Sequence, residues 1–96
     1  MDPAICSAIA EKRLIEFRYE GCLRVVEPYC HGITETEDEV LRAFQIGGHR
    51  ETEEDVGWKF FREDKMEDIV LLNDTFNEKY PTCDFGERMK EVHCCV

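Results

Sequence analysis

The sequence lacks an apolar run long enough to cross a membrane, and it lacks a charged-then-apolar segment of the signal type at its start. We therefore expect a soluble, cytoplasmic protein without membrane contacts. Internal repeats and low-complexity segments are also absent. A chain of 96 residues suffices for one domain. With 43% hydrophobic residues, that domain can build a modest core.

Basic residues are scarce, with 12 Lys and Arg against 22 Asp and Glu and a formal net charge of −10. Affinity for duplex DNA comes largely from cations that neutralise phosphates, so we expect no duplex DNA binding by the surface as a whole. The acids cluster at 34–39, 51–55 and 63–68, in predicted loops or turns. A local basic pocket is compatible with this balance, because fields depend on where the charges sit.

No CxxC pair and no zinc-finger spacing occurs among the six cysteines, which are Cys6, Cys22, Cys30, Cys83, Cys94 and Cys95. Without a signal segment, we expect them to be reduced thiols and not a disulfide framework. The closest approach to a metal motif is His93 followed by Cys94 and Cys95. Adjacent side chains at a frayed chain end seldom hold a tetrahedral ion alone, so we expect no metal and no other cofactor.

Catalytic motifs are missing too. No serine, cysteine or lysine stands in a recognisable nucleophile motif, and no carboxylate pair has a context that fixes its spacing. Cys30 and His31 are adjacent, but neighbouring side chains of a strand point to opposite faces and cannot form a dyad. We therefore predict that the protein is not an enzyme.

The residues that are present predict a mainly β domain with an N-terminal helix. Asp2 and Pro3 suit the start of a helix over 3–12, with Ile5, Ala8 and Ile9 on one face. Period-two patterns then predict five strands, at 14–19, 22–27, 40–46, 58–62 and 67–72. Such short strands with tight connections indicate a small antiparallel barrel or a strongly bent sheet.

The connections and the tail carry further predictions. Pro28 should end or bend the second strand or place it at an edge. His31, Gly32 and the acidic residues 34–39 should form the next turn, and the turn at 64–66 is compatible with one helical turn capped by Asp64. The domain should occupy 1–76. In the tail, 77–96, a short helix is compatible with the spacing of Phe85, Met89 and Val92.

Three segments in order resemble a known family. They are RVVEPY at 24–29, LRAF at 41–44 and FREDKM at 61–66. This series resembles the WYL domain of bacterial regulators, whose outline is R-x-x-x-P, W-Y-L-x-A-Y and F-R-L-D-R-I, and the likeness covers residues 4–76. The name-giving triplet is here Glu39, Val40 and Leu41. Lys65 and Met66 also depart from the outline.

The resemblance implies an SH3-like (Sm-like) antiparallel β-barrel of about five strands. It also implies a ligand-sensing role, with nucleotides or nucleic-acid fragments bound in a basic pocket. Most WYL domains follow a helix-turn-helix domain. This sequence shows none, so the resemblance does not extend to promoter recognition.

Arg24, Arg42 and Arg62 each lie in a predicted strand among apolar neighbours, where a charge needs a partner. In one interpretation they form structural ion pairs with Glu16, Glu27 or Asp64. In the other they converge on an anion, which a planar guanidinium binds in bidentate fashion.

Aromatic and loop residues complete the candidate site. Trp58, Phe60 and Phe61 are typical of core, although one exposed ring could stack on a base. Tyr29 and Gln45 could donate hydrogen bonds, and a His49–Arg50 pair after two glycines could close on a ligand or simply face solvent. Lys65 could bind the ligand or pair with Asp68 in its turn. The candidate ligand-binding residues are therefore Arg24, Tyr29, Arg42, Phe44, Gln45, His49, Arg50, Trp58, Lys65 and Arg62.

These features predict a ligand-sensing or regulatory accessory domain that binds a small anionic ligand such as a nucleotide or oligonucleotide. The alternative is a protein-interaction or oligomerisation module without a pocket, with a copy of itself or a regulator as partner. Clustered arginines would favour the first, and arginines neutralised one by one would favour the second.

Overall fold

A computed structural model describes residues 3–48, 57–77 and 89–96 of the chain. The elements are α1 (Pro3–Glu11), β1 (Arg13–Tyr19), β2 (Cys22–Thr34), β3 (Glu39–Gly48), β4 (Gly57–Arg62), a 3₁₀ turn (Glu63–Lys65), β5 (Met66–Thr75) and β6 (Met89–Cys95). This confirms a mainly antiparallel β domain with one N-terminal helix. None of the described helical residues belongs to a helix with the length and apolarity needed to span a membrane.

The strands form one antiparallel sheet in the order β4-β3-β2-β1-β5, and β6 pairs with the second half of β2. β2 is the central strand, since it pairs with β1, β3 and β6. β4 and β5 are the two ends of this order, and the 3₁₀ turn connects them along the chain. The described sheet is not closed, so a barrel is not confirmed.

β2 is longer than predicted because it does not stop at Pro28. The pairing with β3 shifts between Pro28 and Cys30, so proline lies at an irregularity where its missing N–H interrupts no regular ladder. His31 and Gly32 continue the strand and pair with Leu41 and Val40 of β3. Their predicted place in a turn was therefore wrong, and the turn begins after Thr34.

The main core lies between α1 and one face of the sheet. Ile5, Ala8 and Ile9 of α1 are fully or almost fully buried, which confirms the predicted helix face. They pack with residues of β1 to β5, among them Phe17 and Phe61. A second, smaller core covers the other face and contains Tyr29, Cys30, Val40, Phe76 and Met89.

Residues 89–95 form a strand and not the helix suggested by the spacing of Met89 and Val92. Cross-strand pairing with β2 supplies the backbone hydrogen bonds that a short isolated helix would have to make alone. Gly32 allows this strand to come close, because a Cβ at that position would lie 2.2 Å from the carbonyl oxygen of Glu91. The end of the chain is thus paired and not frayed.

Two disulfides fasten this strand, contrary to the prediction of reduced thiols. Cys94 is bonded to Cys6 of α1, and Cys95 is bonded to Cys30 of β2. Both bridges join residues that are far apart in sequence, with separations of 88 and 65. Cys22 is a free thiol, and Cys83 lies outside the described residues.

Candidate functional site

The three arginines that could converge on an anion are not brought together. Arg24 is opposite Phe17 in the β1–β2 pair, on the face of the sheet that carries the main core. Arg42 is opposite Phe60 in the β3–β4 pair, and Arg62 follows Phe60 by two positions, so both lie on the other face. The described residues therefore do not form one basic pocket from all three side chains.

Arg24 lies at the border of the main core. Its Nη1 donates a hydrogen bond to Oε1 of Gln45 at 3.2 Å, and its guanidinium carbon lies 5.8 Å from the ring centroid of Tyr19. Gln45 is only 2% exposed. Gln45 was predicted to contact a ligand, and in the structure its side-chain carbonyl oxygen accepts a hydrogen bond from Arg24. The role of both residues is best explained by the fold.

Arg62 forms ion pairs on the surface. Its Nη2 lies 3.2 Å from Asp38 and 3.1 Å from Asp64. All three side chains are well exposed, so the pairs contribute little to stability. The structural interpretation predicted the contact with Asp64, and Asp38 adds a second carboxylate.

The guanidinium of Arg42 lies over two aromatic rings of β4. Its guanidinium carbon lies 4.9 Å from the ring centroid of Trp58 and 4.6 Å from that of Phe60. Both distances are within cation–π range, where one contact contributes about 0.5–2 kcal/mol depending on solvation. All three residues are half-buried. This group, the Arg42 stack, combines a fixed cation with aromatic surface that solvent partly reaches.

The second core positions the Arg42 stack. The ring centroid of Trp58 lies 4.9 Å from that of Tyr29 and 5.5 Å from that of Phe44, and Tyr29 is 5.2 Å from Phe76. Tyr29 is fully buried, and its hydroxyl donates to Oε1 of Glu27 at 2.9 Å. Tyr29 and Phe44 thus act as supports for Trp58, and the Tyr29 hydroxyl already has an internal acceptor.

The remaining candidates lie away from the stack or outside the described residues. Lys65 is exposed at the end of the 3₁₀ turn. Asp64 lies inside that turn, where the residue in the capping position is Arg62 and makes no side-chain cap. This corrects the predicted capping role of Asp64. His49 and Arg50 lie outside the described residues.

Sequence reasoning missed a cluster of two histidines and two glutamates. His31 in β2 and His93 in β6 place their Nδ1 atoms 3.2 Å apart, although 62 residues separate them in sequence. Nε2 of His31 lies 3.2 Å from Oε1 of Glu63. A carboxylate oxygen of Glu39 and one ring nitrogen of each histidine lie within 4.8 Å of one another. Only the His93–Cys95 segment gave a sequence signal, and its spacing could not identify His31 as a neighbour.

The surroundings shift the pKa values of two members of this cluster, His31 and Glu39. His31 has no solvent exposure, and desolvation lowers its pKa, with the nearby His93 acting in the same direction. The imidazole of His31 is therefore neutral near pH 7. A side-chain hydrogen bond with Glu63 is the largest of the influences that lower the pKa of Glu39.

Comparison with protein-family models, curated proteins and solved structures finds no match to this chain. The WYL resemblance thus stays a prediction from three sequence segments. Any functional conclusion depends on the geometry of the chain's own residues.

Proposed function

We propose that the chain is a non-catalytic, WYL-like ligand-sensing module, and that it binds its ligand at the Arg42 stack and not at a pocket of converging arginines. The observation that carries this proposal is the position of the Arg42 guanidinium, 4.9 Å and 4.6 Å from the rings of Trp58 and Phe60. The ligand class is a small anion with an aromatic base, such as a nucleotide or a short single-stranded oligonucleotide.

The chemistry of a stacked guanidinium supports this ligand class. Two aromatic rings within cation–π distance restrict the orientation of the group, and its N–H donors lie in its own plane, at its edges. Those edges suit a phosphate or carboxylate, which guanidinium binds in bidentate fashion. The half-buried rings of Trp58 and Phe60 offer a surface on which a base can stack. One ligand carrying both groups would use cation and rings together.

A protein-interaction or oligomerisation module is the second candidate, and the edges of the sheet favour it. β4 and β5 are the end strands of the described sheet, and end strands can pair with a strand of another chain. Val70 in β5 is 49% exposed, and Ile46 in β3 is 40% exposed. The separate engagement of Arg24 and Arg62 also fits this candidate.

A ¹H–¹⁵N titration with a panel of nucleotides distinguishes the two candidates. The ligand-sensing candidate predicts chemical-shift changes in the amide signals around Arg42, Trp58 and Phe60, and inorganic phosphate should reverse them. Arg42→Lys should keep the fold and lose these shifts, because lysine offers neither a planar stack nor a bidentate edge. Arg18→Lys, an exposed position of β1, is the matched control and should bind as the unchanged protein does. Absence of nucleotide shifts, with concentration-dependent broadening of β4 and β5 signals, would favour the interaction module.

We also propose that the sheet curls towards the SH3-like barrel that the resemblance implies. The 3₁₀ turn links the two end strands β4 and β5. Phe61 of β4 contacts Phe17 of β1 with ring centroids 5.0 Å apart, although two strands lie between them in the sheet order. Hydrogen bonds between β4 and β5 in an experimental structure would establish closure, and solvent-exchanging amides along both strands would argue against it.

A cytoplasmic location remains part of the proposal and has to be reconciled with the disulfides. Disulfides persist mainly in oxidising compartments. Rapid alkylation of intact cells, followed by fractionation and mass spectrometry, tests both points together. A cytoplasmic fraction in which Cys6, Cys30, Cys94 and Cys95 resist alkylation would support location and bridges. Recovery of the protein only outside the cytoplasm would overturn the location.

A further inference from the structure

The histidine cluster has the donor types and spacing of a transition-metal site. The Nδ1 atoms of His31 and His93 are 3.2 Å apart. In a tetrahedral zinc site with Zn–N distances of about 2.0–2.1 Å, two ligating nitrogens lie about 3.3–3.4 Å from each other. Glu39 adds a carboxylate oxygen, which lies within 4.8 Å of one ring nitrogen of each histidine. Small side-chain rotations would bring this set to bonding distance of one ion.

The buried imidazole of His31 is incompletely satisfied by protein groups. His31 is 0% exposed, and its Nε2 makes no hydrogen bond to any described residue, because Oε1 of Glu63, at 3.2 Å, lies off the N–H direction. A proton on Nε2 would thus lack an aligned acceptor. A proton on Nδ1 would instead leave the Nε2 lone pair beside a carboxylate. A metal ion at Nδ1 would fix the proton on Nε2, and a small rotation of either side chain would align that proton with Oε1 of Glu63, 3.2 Å away.

The donor types of the cluster also suit a transition-metal ion. Glu39 belongs to the donor set, and Oε1 of Glu63 lies 3.2 Å from Nε2 of His31, so two carboxyl groups lie beside two imidazoles. Imidazole with carboxylate suits zinc and its transition-metal neighbours, whereas magnesium and calcium prefer oxygen ligands alone. Metal-bound histidines commonly direct their second nitrogen at a carboxylate, and Oε1 of Glu63, 3.2 Å from Nε2 of His31, is near enough to take that role.

We propose that His31, His93 and Glu39 bind a zinc-class transition-metal ion, with Glu63 as the outer carboxylate that orients His31. The ligands come from β2, β6 and β3, so the ion links three strands. Three protein ligands leave a fourth position open to water or to another ligand. This site is independent of the Arg42 stack and stands whether or not that stack binds nucleotides.

A second group of donors shares His31 and must be separated by experiment. Cys6 and Cys94 have sulfur atoms within 4.8 Å of a His31 nitrogen. Their sulfurs are joined in a disulfide, which does not provide the thiolates that zinc binds. Metal binding to the disulfide-bonded protein therefore has to come from nitrogen and oxygen donors.

The test is titration of chelator-treated, disulfide-bonded protein with zinc by calorimetry and with cobalt by visible absorption. We expect one ion per chain, with cobalt d–d bands and no sulfur-to-cobalt charge-transfer band. His93→Gln and Glu39→Gln, both at half-buried positions, should each weaken zinc binding by at least tenfold. Glu63→Gln should weaken it by roughly 10- to 100-fold. Glu91→Gln, an exposed position of β6, is the matched control and should bind unchanged.

Three results would overturn the proposal. The first is that zinc produces neither heat nor thermal stabilisation in the unchanged protein. The second is that a folded His93→Gln or Glu39→Gln variant binds zinc with the same affinity as the unchanged protein. The third is a thiolate-to-cobalt charge-transfer band, which would show that cysteines are the ligands. Amide spectra recorded for each variant establish that it is folded before its affinity is compared.

Discussion

The hydroxyl oxygen of Tyr19 accepts a hydrogen bond from the backbone N–H of Arg62 at 3.0 Å and so connects β1 with the end of β4. The ring of Tyr19 also lies 5.0 Å from that of Phe61. β2 and β3 separate these strands in the sheet order, so both contacts are of the kind that the proposed curl of the sheet requires. Tyr19 thus connects β1 to the end of β4 through a hydrogen bond and a ring contact.

Tyr19→Phe removes that hydroxyl and keeps the ring. The N–H of Arg62 then loses its acceptor at a part-buried position, and we expect a loss of about 1–2 kcal/mol in the free energy of unfolding. Urea denaturation measures the loss. A value near zero would show that water replaces the hydroxyl and that the bend does not depend on it.

Gly32→Ala tests whether close approach of β6 holds the histidine cluster together. A Cβ at position 32 would lie 2.2 Å from the Glu91 carbonyl oxygen and 2.7 Å from Sδ of Met89. Backbone must move to relieve the first contact, and we expect a loss of about 1–3 kcal/mol in unfolding free energy together with weaker zinc binding. Thermal denaturation and zinc titration provide the two measurements.

Gly21→Ala is the matched control for this change. Gly21 has a φ of +76° and no atom within 4 Å of an added Cβ, so alanine there carries backbone strain of about 1 kcal/mol without a clash. Its zinc affinity should stay unchanged. If the two variants lose zinc affinity equally, the position of β6 is not what matters.

The Cys6–Cys94 disulfide should be a major source of stability. The bridge closes a loop with a sequence separation of 88, and the chain-entropy account assigns about 4–5 kcal/mol to a loop of that size. The second bridge already restricts the unfolded chain, so Cys6→Ala with Cys94→Ala should cost less than this figure and more than about 1 kcal/mol. Cys22→Ser, at the free thiol, is the control. Peptide mapping without reductant should recover both pairs, and random pairing would contradict the bridges.

Duplex DNA should not bind near physiological salt. The net charge is −10, and the exposed Arg62 is neutralised by Asp38 and Asp64. Fluorescence polarisation with a labelled duplex should show no saturable change. Micromolar affinity at that salt would contradict the prediction.

Local patterns predicted most of the fold. The helix face of Ile5, Ala8 and Ile9 and the alternating burial of β1 depend on neighbouring residues, so they are visible in sequence. The strands predicted at 40–46, 58–62 and 67–72 likewise overlap β3, β4 and β5. The elements whose secondary structure was predicted wrongly depend on partners that are distant in sequence. β6 has Met89 and Val92 at a helical spacing, yet its partner is β2, more than 50 residues earlier.

In the candidate sites, too, the residue types were visible in the sequence, whereas their contacts with distant residues were not. The sequence identified Arg42, Trp58 and Phe60 as residues of interest, but the contact of the guanidinium with both rings depends on the cross-strand register, which only the structure shows. The separation of Arg24 from Arg42 likewise follows from the face that each strand presents. Disulfide partners cannot be deduced from cysteine spacing, and the 62-residue interval between His31 and His93 gives no motif.

The most direct test of the proposed function uses Trp58, the single tryptophan of the chain, as its own reporter. Tryptophan fluorescence is titrated with adenine, guanine, cytosine and uracil nucleotides, alongside inorganic phosphate as competitor. A base that stacks beside Arg42 should quench or shift the emission saturably, with affinity reduced at least tenfold in Arg42→Lys and unchanged in Arg18→Lys. Saturable binding of equal strength in all three proteins, or no nucleotide effect on a folded protein, would contradict the Arg42 stack as the ligand site.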